Sequence, residues 1–516
     1  MQRLNKILKV LFVVPFSIGN PDVQSSNSSE SSDSAVVLFS CLVSIIIVVV
    51  GTFSGLHRFN EASIKVIWGL IVTLVTIATI NIFLIFYRIH AGKSPVTFIK
   101  DNTDGSSQLQ LKFLWLFGLG LILRTSLTIA ADIDCLDKNV DHVYYLTSAI
   151  SSLMMIIFVL SLIGLITYMK KKIFLRLSWI FFSIGVVLLT NASIWLNFAT
   201  VGISGILHRA VNSNITAVSA INTSSYSFCF FHSKISSFST KIQPYLFQIS
   251  LDFLFLATLF IVKTLPTFQS LDVNRTLPNV SEETDSNMLR SDHKRTGIVS
   301  MAIGIICHIP FPVMALMIRF VFLANMNTLR EVWQVGVIIQ KSTMLILIFT
   351  AFSRVVQRKT DPCSWKFSTT DCILLSCCTG KIVVHTFGIL AATSTTIKRS
   401  LLCKSFVSLV FYFYQTLYIM ITRRSAQTAI NQSNASVCVH VLLFTLNITQ
   451  WTTTTFILSV EGNYVLNEGV GRLFENRLVW EMLQYTIIPF TLYYDFQSAM
   501  HFYSILPNFG TLIQKP

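Results

Sequence analysis

Apolar runs of about twenty residues recur along the chain, and short polar connections separate them. A helix of that length crosses the hydrocarbon core of a bilayer, where backbone groups need hydrogen-bond partners within their own segment. The pattern therefore predicts an all-α, polytopic membrane protein with about twelve transmembrane helices. The predicted spans are 35–56, 64–89, 110–131, 143–169, 173–200, 243–265, 297–323, 332–354, 369–392, 401–422, 436–460 and 478–505.

Composition leads to the same class, because 53% of the residues are hydrophobic and only 12% are charged, against roughly 25% in soluble domains. The formal net charge of +15 does not indicate nucleic-acid binding, since the basic residues cluster in short loops between apolar runs. The sequence contains no Walker motif, HExxH motif or nucleophile elbow. We therefore expect a protein that is embedded in the lipid bilayer and has no enzymatic activity, no metal site and no cofactor.

The basic loops alternate with loops that are poor in Lys and Arg, which predicts cytoplasmic termini at both ends. The longest polar connection then lies inside the cell and separates the first six spans from the last six. The predicted organisation is a cytoplasmic tail (1–34), a six-helix half (35–265), a cytoplasmic linker (266–296), a second six-helix half (297–506) and a cytoplasmic tail (507–516).

Four residues of the predicted outside loops carry expectations about covalent chemistry. The sequons at Asn214 and Asn222 face the outside in this topology and are predicted glycosylation sites. Cys135 and Cys229 also fall in outside loops, where the oxidising exterior permits a disulfide. A disulfide and two unpaired thiols remain equally open alternatives for this cysteine pair.

Two short motifs each occur twice, half a chain apart. An Asn followed four residues later by a Trp occurs at Asn191 and again at Asn447. A Phe followed five residues later by Asp-Phe occurs at Phe247 and again at Phe490. Similar motifs in the same order indicate a duplicated membrane unit, a layout that transport proteins use. The residues that complete the motifs are Trp195, Asp252 and Phe253 in the first half, and Trp451, Asp495 and Phe496 in the second.

Polar residues inside the spans are the candidate chemistry, because each costs free energy in lipid unless it finds a partner or water. The two motif asparagines fit both a hydrogen bond between helices and a role in a pathway. The two motif aspartates are protonatable groups that suit proton movement. His308, His385 and His440 are candidates for pH sensing. For the remaining charged or titratable residues near span ends we expect side chains that snorkel to the interface; these are Lys341, Asp371, Lys381 and His501.

Several spans resemble the otopetrins, a family of proton-selective channels. Span three, FLWLFGLGLILRTSLTI, resembles their helix with a Phe-Gly-x-Gly element, and span five, LLTNASIWLN, resembles their Thr-Asn-x-x-x-Trp helix. Span ten, FYQTLYIMITRRS, resembles their Gln-Thr-Leu-Phe-Ile element with paired arginines. Span twelve, TIIPFTLYYDFQSAMHFYS, resembles their Pro-Phe-Gly-x-Phe-Tyr-Arg-Met-His-Ser ending. The similarity covers most of the chain in short, divergent motifs.

The chain departs from the otopetrins at positions that hold or pass a proton in that family. The family's acidic residue in helix six aligns with Ser250, and Asp252 lies two positions further on. A family arginine in helix twelve aligns with Asp495, whereas the family glutamine of helix ten is retained as Gln415. The other altered positions are Leu160, Val186 and Gln497.

The resemblance implies a homodimer in the plasma membrane that passes protons into the cell when the outside is acidic. It implies two related six-helix domains per subunit. The expected pathway or gating residues are Asn191, Asp252, Gln415, Asn447, Tyr494, Asp495 and Gln497, with Trp195 and Trp451 as packing residues. Two alternatives remain open: a secondary transporter, for which Pro310 and Pro312 indicate a kinked helix, and a non-conducting regulatory relative.

Overall fold

The structure is a computed structural model of the 516-residue chain. It describes residues 61–91, 96–98, 106–136, 142–169, 172–174, 180, 182–198, 234–264, 286–320, 326–356, 369–394, 399–425, 434–458, 473 and 477–506. The predicted first span, the sequons at Asn214 and Asn222, and Cys229 lie outside the described residues, as does the side chain of Cys135.

The described residues up to 264 form five helices and a small β ladder. The elements are α1 (Glu61–His90), β1 (Val96–Phe98), α2 (Ser106–Leu136), α3 (His142–Tyr168), β2 (Lys172–Phe174), α4 (Phe182–Phe198) and α5 (Lys234–Thr264). The two strands are antiparallel and pair in a register that places Thr97 opposite Ile173. Each is three residues long, so the described part of this region is helical in all but this ladder.

The described residues from 286 onward form seven α-helices and one π-helix. They are α6 (Ser286–His308), α7 (Pro310–Phe320), α8 (Met326–Val356), α9 (Thr369–Ser394), α10 (Arg399–Ser425), α11 (Asn434–Thr452), the π-helix (Thr453–Leu458) and α12 (Arg477–Ile505). The π-helix continues α11 directly, and α6 and α7 are separated by the single residue Ile309.

Nine described segments are long and apolar enough to cross a membrane. They are Gly69–His90, Ser106–Asp134, Tyr145–Tyr168, Tyr245–Val262, Arg295–Met317, Glu331–Phe352, Asp371–Thr393, Arg399–Thr422 and Ala435–Phe456. The predicted span 173–200 corresponds to the shorter apolar helix α4, and 478–505 corresponds to α12. The structure thus confirms a helical chain with several apolar segments of membrane-spanning length, while the count of twelve and the relation between the halves stay predictions.

Large apolar side chains cover the outer faces of these helices. Phe83 is 55% exposed, Leu119 is 56% exposed and Ile346 is 63% exposed. Contiguous exposed apolar surface of this kind is unfavourable in water and is typical of a lipid-facing helix. Polar side chains occupy the opposite, buried faces, as Asn191, Asp495 and many others do.

The chain divides into two compact units, called here the first and the second unit. The first takes residues 1–102, 111–271 and 366–369, and the second takes residues 103–110, 272–365 and 370–516. In the first unit α3 packs against α1 and α5. Gly118 makes room for this packing, because a Cβ there would overlap Ile163 of α3 and lie 3.3 Å from Phe253 of α5.

Helix α11 is central to the packing of the second unit. It contacts α6, α8 and α12, while α10 contacts α8 and α12. The break between α6 and α7 occurs where Pro310 and Pro312 predict a kink, because a proline lacks the backbone N–H that continues a helix. The π-helix packs against α7, so the two irregular segments of this unit are neighbours.

Candidate functional site

A buried ion pair joins α9 to α12 in the second unit. Lys381 Nζ lies 2.8 Å from Asp495 Oδ2, and the carboxylate is fully buried. Two charges inside an apolar helical bundle are tolerated only when they compensate each other. The second carboxylate oxygen, Asp495 Oδ1, has no hydrogen-bond partner among the described residues. The carboxylate therefore keeps one oxygen able to accept a further hydrogen bond.

Gly380, the residue before Lys381, explains why the two charged side chains meet. A Cβ at Gly380 would lie 2.8 Å from the Cβ of Phe490 on α12, so only glycine permits this helix approach. The closest part of α12 includes Pro489, which leaves a carbonyl of the preceding turn without its usual helical donor. The short distance between α9 and α12 brings Lys381 within reach of Asp495.

Lys341 of α8 is a second buried cation beside this pair. Its side chain is 1% exposed, and its Nζ donates to Oε1 of Gln450 at 2.5 Å. The same ammonium lies 4.3 Å from the ring centre of Phe411 and 4.8 Å from that of Tyr412. No carboxylate among the described residues lies within ion-pair distance of it. Neutral dipoles and aromatic faces therefore hold this cation.

Tyr412 of α10 is the hub between the two lysines. Lys381 Nζ lies 4.9 Å from the ring centre that Lys341 also approaches. Its hydroxyl accepts a hydrogen bond from Gln450 Nε2 at 3.3 Å. His385 stacks on the ring with centroids 5.4 Å apart. Side chains of α8, α9, α10 and α11 thus converge on one tyrosine, with Asp495 of α12 reached through Lys381.

An amide pair links α10 to α11 next to this cluster. Gln415 Nε2 donates to Asn447 Oδ1 at 3.0 Å, and Asn447 Nδ2 donates to its own helix at Leu443 O. Both side chains are fully buried. Gln415 Oε1 has no hydrogen-bond partner within the described part of the chain. The pair is a link between helices that still offers one acceptor to a water or a proton carrier.

Tyr494, which precedes Asp495, is tied to the same region by Thr416, which follows Gln415. The Thr416 and Tyr494 hydroxyl oxygens are 2.8 Å apart, and Thr416 Oγ1 lies 3.2 Å from Cys378 Sγ. The Tyr494 ring packs edge-on against Tyr412 with centroids 5.4 Å apart. The structure therefore places four predicted site residues in the second unit as two groups: Gln415 bonds to Asn447, and Tyr494 precedes Asp495 on α12.

His308, the last residue of α6, connects the broken helix to two neighbouring elements. Its Nδ1 lies 3.0 Å from Gln340 Nε2 of α8, and its Nε2 lies 3.3 Å from Thr453 Oγ1 of the π-helix. An amide nitrogen can only donate, so Nδ1 accepts and the remaining ring proton lies on Nε2. His308 is therefore a satisfied neutral histidine in this arrangement, and it joins α6, α8 and the π-helix.

The last helix also carries Gln497 and His501, which contact each other. Gln497 Nε2 lies 3.4 Å from His501 Nε2, one turn along α12. A third histidine, His440, accepts or donates a hydrogen bond of 2.7 Å with the Tyr418 hydroxyl. The structure thus places Gln497 on the buried face of α12 without a described bond to the Lys381–Asp495 pair.

The predicted site residues of the first unit lie on α4 and α5. Asn191 Nδ2 donates to Leu254 O and to Thr258 Oγ1, each at 2.7 Å, and so links α4 to α5. Asp252 is buried on α5, and Ser250 donates to Leu246 O of its own helix. The remaining altered family positions differ in exposure, since Val186 is buried and Leu160 is 48% exposed.

The two motif tryptophans pack against aromatic rings. Trp195 meets Phe255 of α5 edge-on at 5.9 Å between centroids. Trp451 contacts Phe496 of α12 at 5.4 Å and Phe456 of the π-helix at 5.7 Å. Each tryptophan therefore anchors its helix to the helix that carries the Asp-Phe motif.

The expectation that Lys341 and Lys381 snorkel to the interface is wrong. Both side chains are buried within the bundle, and Lys381 is paired with Asp495. Their positions near predicted span ends suggested an escape to water, but the helices pack around them. A usable signal was present in the sequence: a carboxylate inside span twelve requires a buried cation, and spans eight and nine each supply a lysine.

Within the described residues, no group of three or more His, Cys, Asp or Glu side chains is arranged to hold a metal ion. No protein-family model matches the chain, and no curated protein matches it. The candidate site therefore has to be interpreted from its own chemistry.

Proposed function

We propose that the chain is a multi-pass protein of the plasma membrane that passes protons into the cell down their gradient, as otopetrins do. The observation that carries this proposal is the buried network of the second unit. Five helices contribute protonatable or hydrogen-bonding side chains to it, while their outer faces are apolar. Such groups are costly inside a membrane protein and mark ion or proton routes when they occur.

The composition of the network favours protons over larger cations. Lys341 and Lys381 face a single described carboxylate, Asp495, so the fully charged cluster repels Na⁺ and K⁺. A proton needs no open cavity, because it moves by exchange along hydrogen bonds. Asp495 would exchange the proton with Lys381 and water, and Gln415 and Asn447 would orient that water.

The remaining parts of the proposal come from the predicted topology and the family resemblance. Both termini are cytosolic, two copies form a homodimer, and no cofactor takes part. Acid outside the cell is the activating condition.

Whole-cell recording tests this proposal, with the outside solution stepped from neutral to acidic pH in cells that express the chain at the surface. We expect an inward current whose reversal potential follows the proton gradient and is unchanged when Na⁺ is replaced by an impermeant cation. An absent current despite surface expression would contradict proton conduction.

A secondary transporter is the second candidate function, and the irregular segments of the second unit favour it. The α6–α7 break and the π-helix are neighbours, and His308 connects them through Thr453. Broken helices are where transporters bind substrates and change conformation. Saturable, counter-ion-coupled uptake of a solute, without an acid-evoked current, would favour this function over a channel.

A further inference from the structure

Lys341 differs from the other buried cation of its cluster in having no carboxylate within ion-pair distance among the described residues. Lys381 is compensated by Asp495 at 2.8 Å, whereas Lys341 relies on one amide oxygen and two aromatic rings. Burying an ammonium that is 1% exposed and has no carboxylate within ion-pair distance among the described residues costs free energy. A neutral amine keeps two N–H donors and can still bond to Gln450.

A second positive charge near Lys341 adds to the cost of burying its ammonium group. The ring of Tyr412 lies between two ammonium groups, at 4.8 Å from Lys341 and 4.9 Å from Lys381. The two ammonium groups approach the same ring, and like charges so close to each other repel in a low-dielectric interior. The titratable and charged groups around Lys341 and its neighbours are His308, Lys381, His385, Lys404, Tyr412 and Asp495. Only one member of this set is an acid with a carboxylate, so the excess charge is positive.

We infer that Lys341 is a proton-exchange group of the second unit, whose amine binds and releases a proton as protons cross the membrane. This inference rests on the proposed proton conduction for its place in the pathway. In the exchange the amine nitrogen forms a new N–H bond with a proton from water or a neighbouring hydroxyl, and later returns that proton. Gln450 bridges Lys341 to the Tyr412 hydroxyl and keeps the amine beside a group able to relay the proton.

The first unit contains a natural contrast to Lys341. The Arg124 guanidinium of α2 lies 4.2 Å from the ring centre of Phe198 and 5.1 Å from that of Phe247. Its Nη1 has no hydrogen-bond partner among the described residues. Both units therefore hold a cation close to two aromatic rings, but a guanidinium keeps its proton at neutral pH, whereas a buried amine is able to release one.

Thermal unfolding of the purified protein in detergent, measured across the neutral pH range, tests the inference without any current. If the buried amine exchanges its proton as inferred, unfolding takes up protons at this residue and stability rises with pH. Replacing Lys341 by Met or by Arg removes this linkage, because Met never binds the proton and Arg keeps it in both states. We expect each variant to flatten the rise by about 2 °C per pH unit.

Lys112→Met is the matched control, since Lys112 is an exposed lysine of α2 and its loss leaves the linkage intact. The same variants are then recorded after an acid step. We expect Lys341→Arg to lower the acid-evoked current at least about tenfold. We expect Lys112→Met to leave that current unchanged.

The outcomes separate the two proposals. A wild type without current, but with a pH slope that Lys341→Met removes, supports proton exchange at Lys341 and contradicts only conduction. A slope that Lys341→Met leaves unchanged overturns the inference whatever the current does. Full current in Lys341→Arg overturns its place in the pathway. A melting temperature that depends on chloride in the wild type and not in Lys341→Met also overturns it, because a bound anion would then compensate a permanent ammonium.

Discussion

Asn191 and Asn447 begin the same four-residue motif, one in each unit, yet their amides have different partners. Asn191 donates to a backbone carbonyl and a threonine hydroxyl of a neighbouring helix. Asn447 turns its amide nitrogen to its own helix and accepts from Gln415 instead. At the position that the family resemblance matches to Gln415, the first unit has Leu160, which is exposed. The same motif thus ends in a structural link in one unit and in a polar pair in the other.

The buried cations of the two units also have different partners. In the first unit Arg124 lies over two phenylalanine rings and keeps its charge at neutral pH. In the second unit Lys341 and Lys381 flank Tyr412, and both belong to a network with Asp495. Among the described residues, the buried lysines and the Lys381–Asp495 ion pair therefore lie in the second unit. A duplicated sequence pattern does not imply that both copies perform the same chemistry.

Removing one buried cation from each unit should give the largest difference in the free energy of unfolding between matched variants. Lys381→Met leaves the buried carboxylate of Asp495 uncompensated and should lower the free energy of unfolding by about 3–5 kcal/mol. Arg124→Met removes a cation over two rings and should cost about 1 kcal/mol. Thermal unfolding of the purified variants measures both, and equal losses would contradict the contrast between the units.

The double variant Lys381→Met, Asp495→Asn tests whether the loss comes from the unpaired charge. Without the carboxylate, the methionine no longer leaves an uncompensated ion, so most of the stability should return. A double variant as unstable as Lys381→Met alone would mean that the lysine acts through packing.

The described helical spans were predictable because their signal is local: length and apolar content locate each helix, although α5 begins at Lys234 and α6 at Ser286, ahead of the predicted starts at 243 and 297. The irregular points were partly predictable, since Pro310 marks the α6–α7 break, whereas nothing in the sequence indicated the π-helix at Thr453. The Lys381–Asp495 pair was not predicted, because a span's periodicity does not say which face of it meets which other helix. The lysines looked like interface residues only because the packing around them was unknown.

A methyl group added at Gly380 should push Lys381 and Asp495 apart through a steric clash between α9 and α12. The new Cβ would lie 2.8 Å from the Cβ of Phe490, so Gly380→Ala pushes α9 away from α12 and should cost about 1–3 kcal/mol. Gly69→Ala is the matched substitution in the first unit, where no atom lies within 4 Å of the added carbon. That variant should be slightly stabilised, by up to about 1 kcal/mol. Melting temperatures that move together in the two variants would argue against close helix approach as the reason for Gly380.

Replacing Gln415 by leucine gives the second unit the residue type found at Leu160 in the first. Gln415→Leu leaves Asn447 Oδ1 buried without its donor and should cost about 1–2 kcal/mol. Adding Asn447→Leu removes the orphaned acceptor, so the double variant should lose less than the sum of the single ones. A double-mutant cycle on thermal stability measures this coupling, and strict additivity would show that the two amides do not interact.

The smallest contrast concerns two threonines that support the motif residues. Thr416→Val removes the hydroxyl 2.8 Å from Tyr494, whose phenol keeps a longer contact of 3.4 Å to Tyr412 O, and should cost about 1 kcal/mol. Thr258→Val removes one of two acceptors of Asn191, whose amide still reaches Leu254 O, so the cost should be about 0.5 kcal/mol. Valine matches threonine in shape, so the difference in unfolding free energy reports the hydroxyl alone. If the second unit carries protons, Thr416→Val should also reduce the acid-evoked current while Thr258→Val leaves it intact. Equal currents in the two variants would place Tyr494 outside the pathway. The difference between the units would then rest on Lys341, Lys381 and Asp495 alone.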